Sequence, residues 1–185
     1  FLLDSATAAA IKLCRIRLHV SGMEKIPKDT KLLFVSNHRS NFDPLITWYA
    51  LKKWKLAFIS KPENFKIPFF GRIIRRCCFL PIDRENPRKA IVTINRAAKL
   101  LKKQEVSIGV YPEGTRSKTC ELLPFHNGVF KIAQKADVPI VVLSITGTEK
   151  IAKATPFRRT DVYLDVLEVF SNIKETKTEL IGTAA

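Results

Sequence analysis

Three short runs in this chain are apolar almost throughout: KLLFVS at 31–36, SIGVYP at 107–112 and VPIVVLSIT at 138–146. A strand that alternates apolar and polar residues can leave one face in water. A strand that is apolar on both faces must be covered on both. The segments between these runs carry helical spacing instead. The clearest is PRKAIVTINRAAKLLKK (87–103), where Ala90, Ile91, Ile94, Ala97, Ala98 and Leu101 share one face and Lys and Arg the other. Buried strands alternating with amphipathic helices predict an α/β fold: a single domain, residues 1–185, with a largely parallel central sheet flanked by helices.

The remaining segments fill in that frame. CRIRLHV (14–20) alternates strictly and predicts a half-buried strand with Cys14, Ile16, Leu18 and Val20 on its apolar face. LAFISK (56–61) and VYLDVLEVF (162–170) read as strands, and CCFLPID (77–83) as a further short one. Asp43-Pro44 is a helix start, Asp at the cap and Pro at the first helical position, continued by LITWYALKKWK. PENFKIPFFGRIIRR reads as a Pro- and aromatic-bearing segment, and a helix is expected around 128–136. Residues 1–13 read as an Ala- and Leu-rich helix, and 172–185 as a loosely ordered tail.

Lys plus Arg number 32 against 17 Asp plus Glu, a formal net charge of +15. Such an excess attracts polyanions: nucleic acid, an anionic membrane surface or phosphorylated substrates. No nucleic-acid recognition signature accompanies it. Two segments mix cations or aromatics as an interfacial patch does: KKWKLAF (52–58) and IPFF (67–70). Each equally fits a bland reading, a lysine-rich helix end or core aromatics. No run of about 18 apolar residues is present, so the chain holds no complete membrane span. It begins at Phe1 without an initiating Met, and the first helix is read as the remnant of, or link to, an upstream anchor. Cys14, Cys77, Cys78 and Cys120 form no CxxC pair. Metal-ligand spacing is therefore absent, and a reducing compartment is expected.

Candidate chemistry sits where strands end. Asn37-His38 closes one strand, and Asp43 follows five residues after His38. A loop that folds back lets the carboxylate reach the imidazole. Such a pair is a general base, Asp fixing the tautomer and His taking a proton. On spacing alone, a capping Asp beside an unrelated loop His fits as well. After a second strand comes Tyr111-Pro112-Glu113-Gly114-Thr115-Arg116-Ser117. Its Gly114 admits close backbone approach and its Arg116 offers a planar fork for phosphate; a plain surface turn is the alternative. A third group, Lys61 followed by Gly71, Arg72, Arg75 and Arg76, is either a phosphate-attracting wall or a solvated basic face.

Taken in order, NHRSNFD, SK…PFFGRIIRR, YPEGTRS and VPIVVLSITGT resemble the glycerophospholipid acyltransferase family, and within it most the 1-acyl-sn-glycerol-3-phosphate (lysophosphatidic acid) acyltransferases. The resemblance covers roughly residues 14–150. It implies the fold of that family and transfer of an acyl chain from acyl-coenzyme A or acyl carrier protein to the free hydroxyl of lysophosphatidic acid. A different lysolipid acceptor is the alternative, and a non-catalytic nucleic-acid module the remote one. It further implies His38 as base and Asp43 as its partner. Glu113, Gly114, Thr115 and Arg116 become one acceptor-binding block, and Lys61, Gly71, Arg72, Arg75 and Arg76 a second. No metal, no cofactor beyond the co-substrate and no nucleic acid are implied. The expected setting is the cytoplasmic side of an anionic membrane, peripheral or anchored by the N-terminal segment. Two departures stand out: Val142 where the family often has a second Pro, and His126 where Lys is common.

Overall fold

The computed structural model describes residues 2–119, 121–174 and 176–184, so Cys120 lies outside the described residues. The elements run α1 (Leu2–Leu13), β1 (Ile16–Ser21), β2 (Leu33–Ser36), α2 (Asp43–Ala50), β3 (Leu56–Ser60), α3 (Phe70–Arg76), β4 (Leu80–Pro81), α4 (Pro87–Lys102), β5 (Ser107–Val110), α5 (Lys131–Ala136), β6 (Ile140–Thr146), α6 (Ile151–Ala154), β7 (Thr160–Phe170) and α7 (Thr178–Ala184). The strands form one seven-stranded sheet in the order β1-β7-β6-β2-β5-β3-β4. Every neighbouring pair is parallel except β6 with β7. The predicted α/β architecture is therefore the observed one.

The apolar runs lie at the centre of the sheet, as double-sided burial requires. In β2, Leu33 and Val35 pack with Ala97, Ala98 and Leu101 of α4 and Ile132 of α5. Phe34 between them points the other way, into a second core holding Ile11 of α1, Ile46 of α2 and Ile145 of β6. All three β2 residues are at most 1% exposed. Burying each such side chain is worth about 1.5–3 kcal/mol.

Several segments depart from expectation. β1 starts at Ile16 rather than Cys14, because Arg15 adopts a positive φ of 51° and turns the chain. As a sheet-edge strand it leaves Val20 exposed. Asp43 is the first helical residue of α2 rather than its cap. That helix ends at Ala50, with a 3-10 turn at Lys52–Trp54. The KKWK segment is no interfacial patch: Trp54 is buried and its Nε1 donates to the Pro27 carbonyl at 2.8 Å. Phe58 is buried too, packed against Phe79 and Tyr111. In α4, Asn86 caps the N-terminus by accepting from Lys89 N at 3.2 Å, and Ile91, expected on the buried face, is exposed. The expected loose tail contains α7, whose Ile181 is buried in the α4–α5 core.

The Pro- and aromatic-bearing segment holds α3. Gly71 begins its packing: a Cβ there would lie 2.3 Å from the Phe65 carbonyl oxygen. Only a hydrogen fits between α3 and the turn before it. Gly71→Ala is expected to destabilise the chain by about 1–3 kcal/mol through this overlap. Thermal melting checks it; an unchanged midpoint would mean that the turn yields freely.

Candidate active site

In a parallel sheet the loops after the strands gather along one edge. Here β2, β5, β3, β4 and β6 all end on that edge, and the antiparallel β7 begins there, with Thr146 opposite Tyr163. His38 follows β2, Tyr111–Ser117 follows β5 and Lys61 follows β3. The topology thus brings together three blocks far apart in sequence.

At the centre lies the pair expected from spacing. His38 Nδ1 donates to Asp43 Oδ2 at 2.8 Å. This loop geometry fixes the proton on Nδ1 and leaves Nε2 as the basic nitrogen. The Asp43 carboxylate is fully buried. Its Oδ2 also accepts from the backbone amides of Arg39 and Ser40, both at 2.7 Å, and its Oδ1 from the Thr148 hydroxyl at 2.5 Å. A buried carboxylate is tolerated only when its acceptor sites are filled in this way. The capping alternative is excluded, since no side-chain cap bond is made at the start of α2.

The imidazole is held on other sides as well. Its ring stacks on Tyr111, centroids 4.3 Å apart, and Tyr111 stacks in turn on Phe58. Burial pushes the Tyr111 phenol well above its usual range, and the nearby Asp43 charge adds to that. Tyr111 therefore stays a neutral platform, 3.4 Å from the Thr47 hydroxyl. Asn37 bridges β2 to β6: its Nδ2 donates to the Ile145 carbonyl at 2.9 Å and its Oδ1 accepts from Ile145 N at 2.8 Å.

Glu113 is placed differently from an exposed ligand-binding side chain. It is buried; Oε1 accepts from His38 N at 2.6 Å and Oε2 from Leu123 N at 3.0 Å. Ser117 N donates to the His38 carbonyl at 2.8 Å, so the loop after β5 clamps His38 from both backbone groups. Gly114, at φ +72°, leaves no room for a side chain: a Cβ would meet the His126 ring at 2.8 Å. His126 thus packs on this loop. Thr115 and Arg116 are exposed.

In the second block, Lys61, Arg72 and Arg76 are exposed. Arg75 lies over the Phe65 ring, 5.2 Å from its centroid, and Gly71 serves the packing of α3. Asn37, Thr148 and Arg84 were missed in the sequence. Arg84 follows β4, and its Cδ comes within 3.8 Å of the Cβ position at Gly114, beside the Tyr111–Ser117 loop. Burial pulls its guanidinium below the usual value, opposed by Glu63. The one available signal was its place after a short strand on the site edge. Among the described residues no cluster of three or more His, Cys, Asp or Glu is arranged to hold a metal.

Val142 is buried on β6 and lines a cavity of about 230 Å³ with Val35, Phe125, Leu143 and Leu167. The same cavity reaches Asn37 and Glu113, beside His38.

Comparison with known proteins places the chain in a family. The family model described as Acyltransferase matches residues 17–146. A chloroplastic 1-acyl-sn-glycerol-3-phosphate acyltransferase of Brassica napus is 39% identical over 133 residues, 71% of this chain and 38% of that protein. The 1-acyl-sn-glycerol-3-phosphate acyltransferase of Escherichia coli is 36% identical over 116 residues, 63% of this chain and 47% of that one. This chain therefore spans less than half the length of either. The crystal structure of the 1-acyl-sn-glycerophosphate (LPA) acyltransferase from Thermotoga maritima superposes with a TM-score of 0.83 at 28% identity, covering 99% of this chain and 73% of that one. The matched stretch runs from within β1 to the last residue of β6 and includes His38, Asp43 and Glu113; the chain belongs to the acyltransferase family.

Proposed function

We propose that this chain transfers an acyl chain from an acyl thioester to the free hydroxyl of lysophosphatidic acid, giving phosphatidic acid. The observation that carries the reading is the His38–Asp43 pair, its carboxylate filled by four donors and its basic Nε2 left for substrate. His38 Nε2 takes the acceptor's hydroxyl proton as the oxygen attacks the thioester carbonyl. The tetrahedral intermediate collapses by breaking the C–S bond. The departing thiolate recovers the proton from Nε2. No covalent acyl-enzyme forms, so none of the cysteines is required. Asp43 holds the tautomer and stabilises the imidazolium.

Arg116 is the preferred holder of the acceptor phosphate, with Arg84 and the exposed Lys61, Arg72 and Arg76 on the same edge adding attraction. Glu113 acts as a positioning residue through the backbone of His38. The cavity lined by Val142 suits the acyl chain. A larger lysolipid head group remains the alternative acceptor, to be separated by a panel of acceptors.

The membrane is the second partner in this reading. Among the described residues no helix is long and apolar enough to cross a bilayer. The site edge instead presents Phe69 at 79% exposure, Phe157 at 84% and Leu13 at 73%. Phe69 sits at φ 59°, ψ −55°, and Phe70 N donates to the Pro68 carbonyl at 2.6 Å. That is a γ-turn in its strained form, costing about 1–3 kcal/mol. The turn holds an aromatic ring outward beside Lys66 and Arg72, as a bilayer-inserting tip would. The unpaired Cys14, Cys77 and Cys78 suit the cytoplasmic face, where thiols stay reduced.

Three measurements test the proposal. Release of free coenzyme A from acyl-coenzyme A, followed by mass spectrometry, should require lysophosphatidic acid and should vanish in His38→Ala. Asp43→Asn should lower kcat about ten-thousand-fold, as when a catalytic His loses its orienting carboxylate. Release without acceptor would mark a thioesterase instead, and no release with any donor or lysolipid would sink the reading. Arg116→Ala should raise KM for lysophosphatidic acid about 10–100-fold, the worth of a charge-assisted hydrogen bond, and leave KM for the donor unchanged. Phe69→Gly should keep the melting temperature, since glycine tolerates the turn, yet weaken sedimentation with anionic vesicles. Undiminished vesicle binding would remove this tip from the membrane contact.

A further inference from the structure

Two phosphate-bearing substrates meet at His38 if the donor is acyl-coenzyme A, and Lys61, Arg72 and Arg84 lie on one side of it. In the sheet, β2 stands between β5 and β6. The loops after β3 and β4, with Lys61, Arg72 and Arg84, lie to one side, while the loop after β5, which carries Arg116, crosses over His38, its Ser117 N bonded to the His38 carbonyl and its Lys118 reaching the β6 side. On the other side β6 runs out through Gly147 and Thr148 into α6. That side holds a cleft of about 470 Å³ lined by Arg39, Lys118, Glu149, Lys150, Lys153 and Arg158. Its lining neighbours the catalytic pair along the chain: Arg39 follows His38, and Glu149 follows Thr148, whose hydroxyl bonds Asp43.

The charges in the cleft do not balance internally. Glu149 Oε1 lies 3.8 Å from Arg39 Nη2 and offsets that cation. Lys118, Lys150, Lys153 and Arg158 make no ion pair among the described residues. Lys150, just before α6, and Lys153 within it are three apart and so lie on one side of that turn. Cations gathered in a concave site focus positive potential toward its interior, and their mutual repulsion is relieved by a polyanion. The volume suits a small molecule rather than the flat face of a protein.

We propose that this cleft binds the phosphorylated nucleotide of coenzyme A, on the β6 side of His38. The assignment rests on the acyl-transfer reading above, and it specifies coenzyme A as the donor carrier. Lys150, Lys153, Lys118 and Arg158 take the 3′-phosphate and the diphosphate, and the pantetheine arm runs past Arg39 to bring the thioester to His38.

The probe is adenosine 3′,5′-bisphosphate, which carries nucleotide phosphates and no acyl arm. Calorimetry on the full chain should show it binding, with adenosine silent. The Lys150→Glu/Lys153→Glu variant should weaken that binding at least about tenfold and raise KM for acyl-coenzyme A by a similar factor, with KM for lysophosphatidic acid unchanged. The milder Lys150→Gln/Lys153→Gln pair, with its melting curve, separates lost charge from lost fold. Wild-type protein that fails to bind the bisphosphate overturns the assignment, even if acyl transfer proceeds with acyl carrier protein. So does a rise confined to the lysophosphatidic acid KM, which would hand the cleft to the acceptor. Loss of anionic-vesicle binding with an unchanged donor KM would make it a membrane patch. Because binding is read without turnover, a chain that binds the bisphosphate but transfers no acyl group would refute the proposed reaction and leave the cleft standing.

Discussion

The buried Asp43 carboxylate organises this end of the molecule. A charge with no exposure to water must be met by donors, and here they come from two parts of the chain. His38 and the amides of Arg39 and Ser40 come from the loop after β2, the carboxylate from the first turn of α2 and the Thr148 hydroxyl from the loop after β6. Removing any one donor leaves acceptor capacity unfilled in an apolar surrounding. The loop is thereby forced into one conformation, and that conformation presents the imidazole.

Glu113 extends the same logic one strand further. It accepts from His38 N and Leu123 N, so a buried acid from the loop after β5 fixes the backbone that Asp43 fixes through side chain and neighbouring amides. Asn37, exchanging two bonds with Ile145, ties the end of β2 to β6. His38 is thus braced from both adjacent strands. For the base role proposed for it, such positioning matters, since geometry supplies a large share of a barrier reduction.

The sheet was readable in the sequence because its central strands are buried on both faces, which leaves unbroken apolar runs. The His38–Asp43 pair, five residues apart, stayed open on spacing alone and was singled out by the resemblance of its NHRSNFD block to the acyltransferases. Thr148 and Asp43 are separated by 105 residues, and no local pattern betrays such a contact. Gly71 and Glu113 were placed in binding blocks by position in a motif. Their chemistry also fits packing and backbone clamping, and only the close approach to Phe65 and the bond to His38 N distinguish these uses. KKWK misled for a related reason: a tryptophan beside lysines looks interfacial until its indole finds a backbone carbonyl inside the fold.

Net charge alone gives the molecule no orientation. Lysines crowd the edge opposite the site as well, with Lys28, Lys52, Lys53, Lys55 and Lys103 all exposed there. Apolar exposure breaks the symmetry. No exposed large hydrophobic lies in the opposite-edge connections 22–32, 51–55, 103–106 or 137–139, whereas Leu13, Phe69, Phe70, Leu122 and Phe157 all lie in segments bordering the site edge. A cationic surface with no apolar tips can only be drawn toward a bilayer, and salt screens that attraction. A cationic edge carrying protruding aromatic rings can also bury area in it. In the proposed reaction both the lipid acceptor and the acyl chain pass between bilayer and His38, which requires the edge that can insert and the edge that reacts to be the same one.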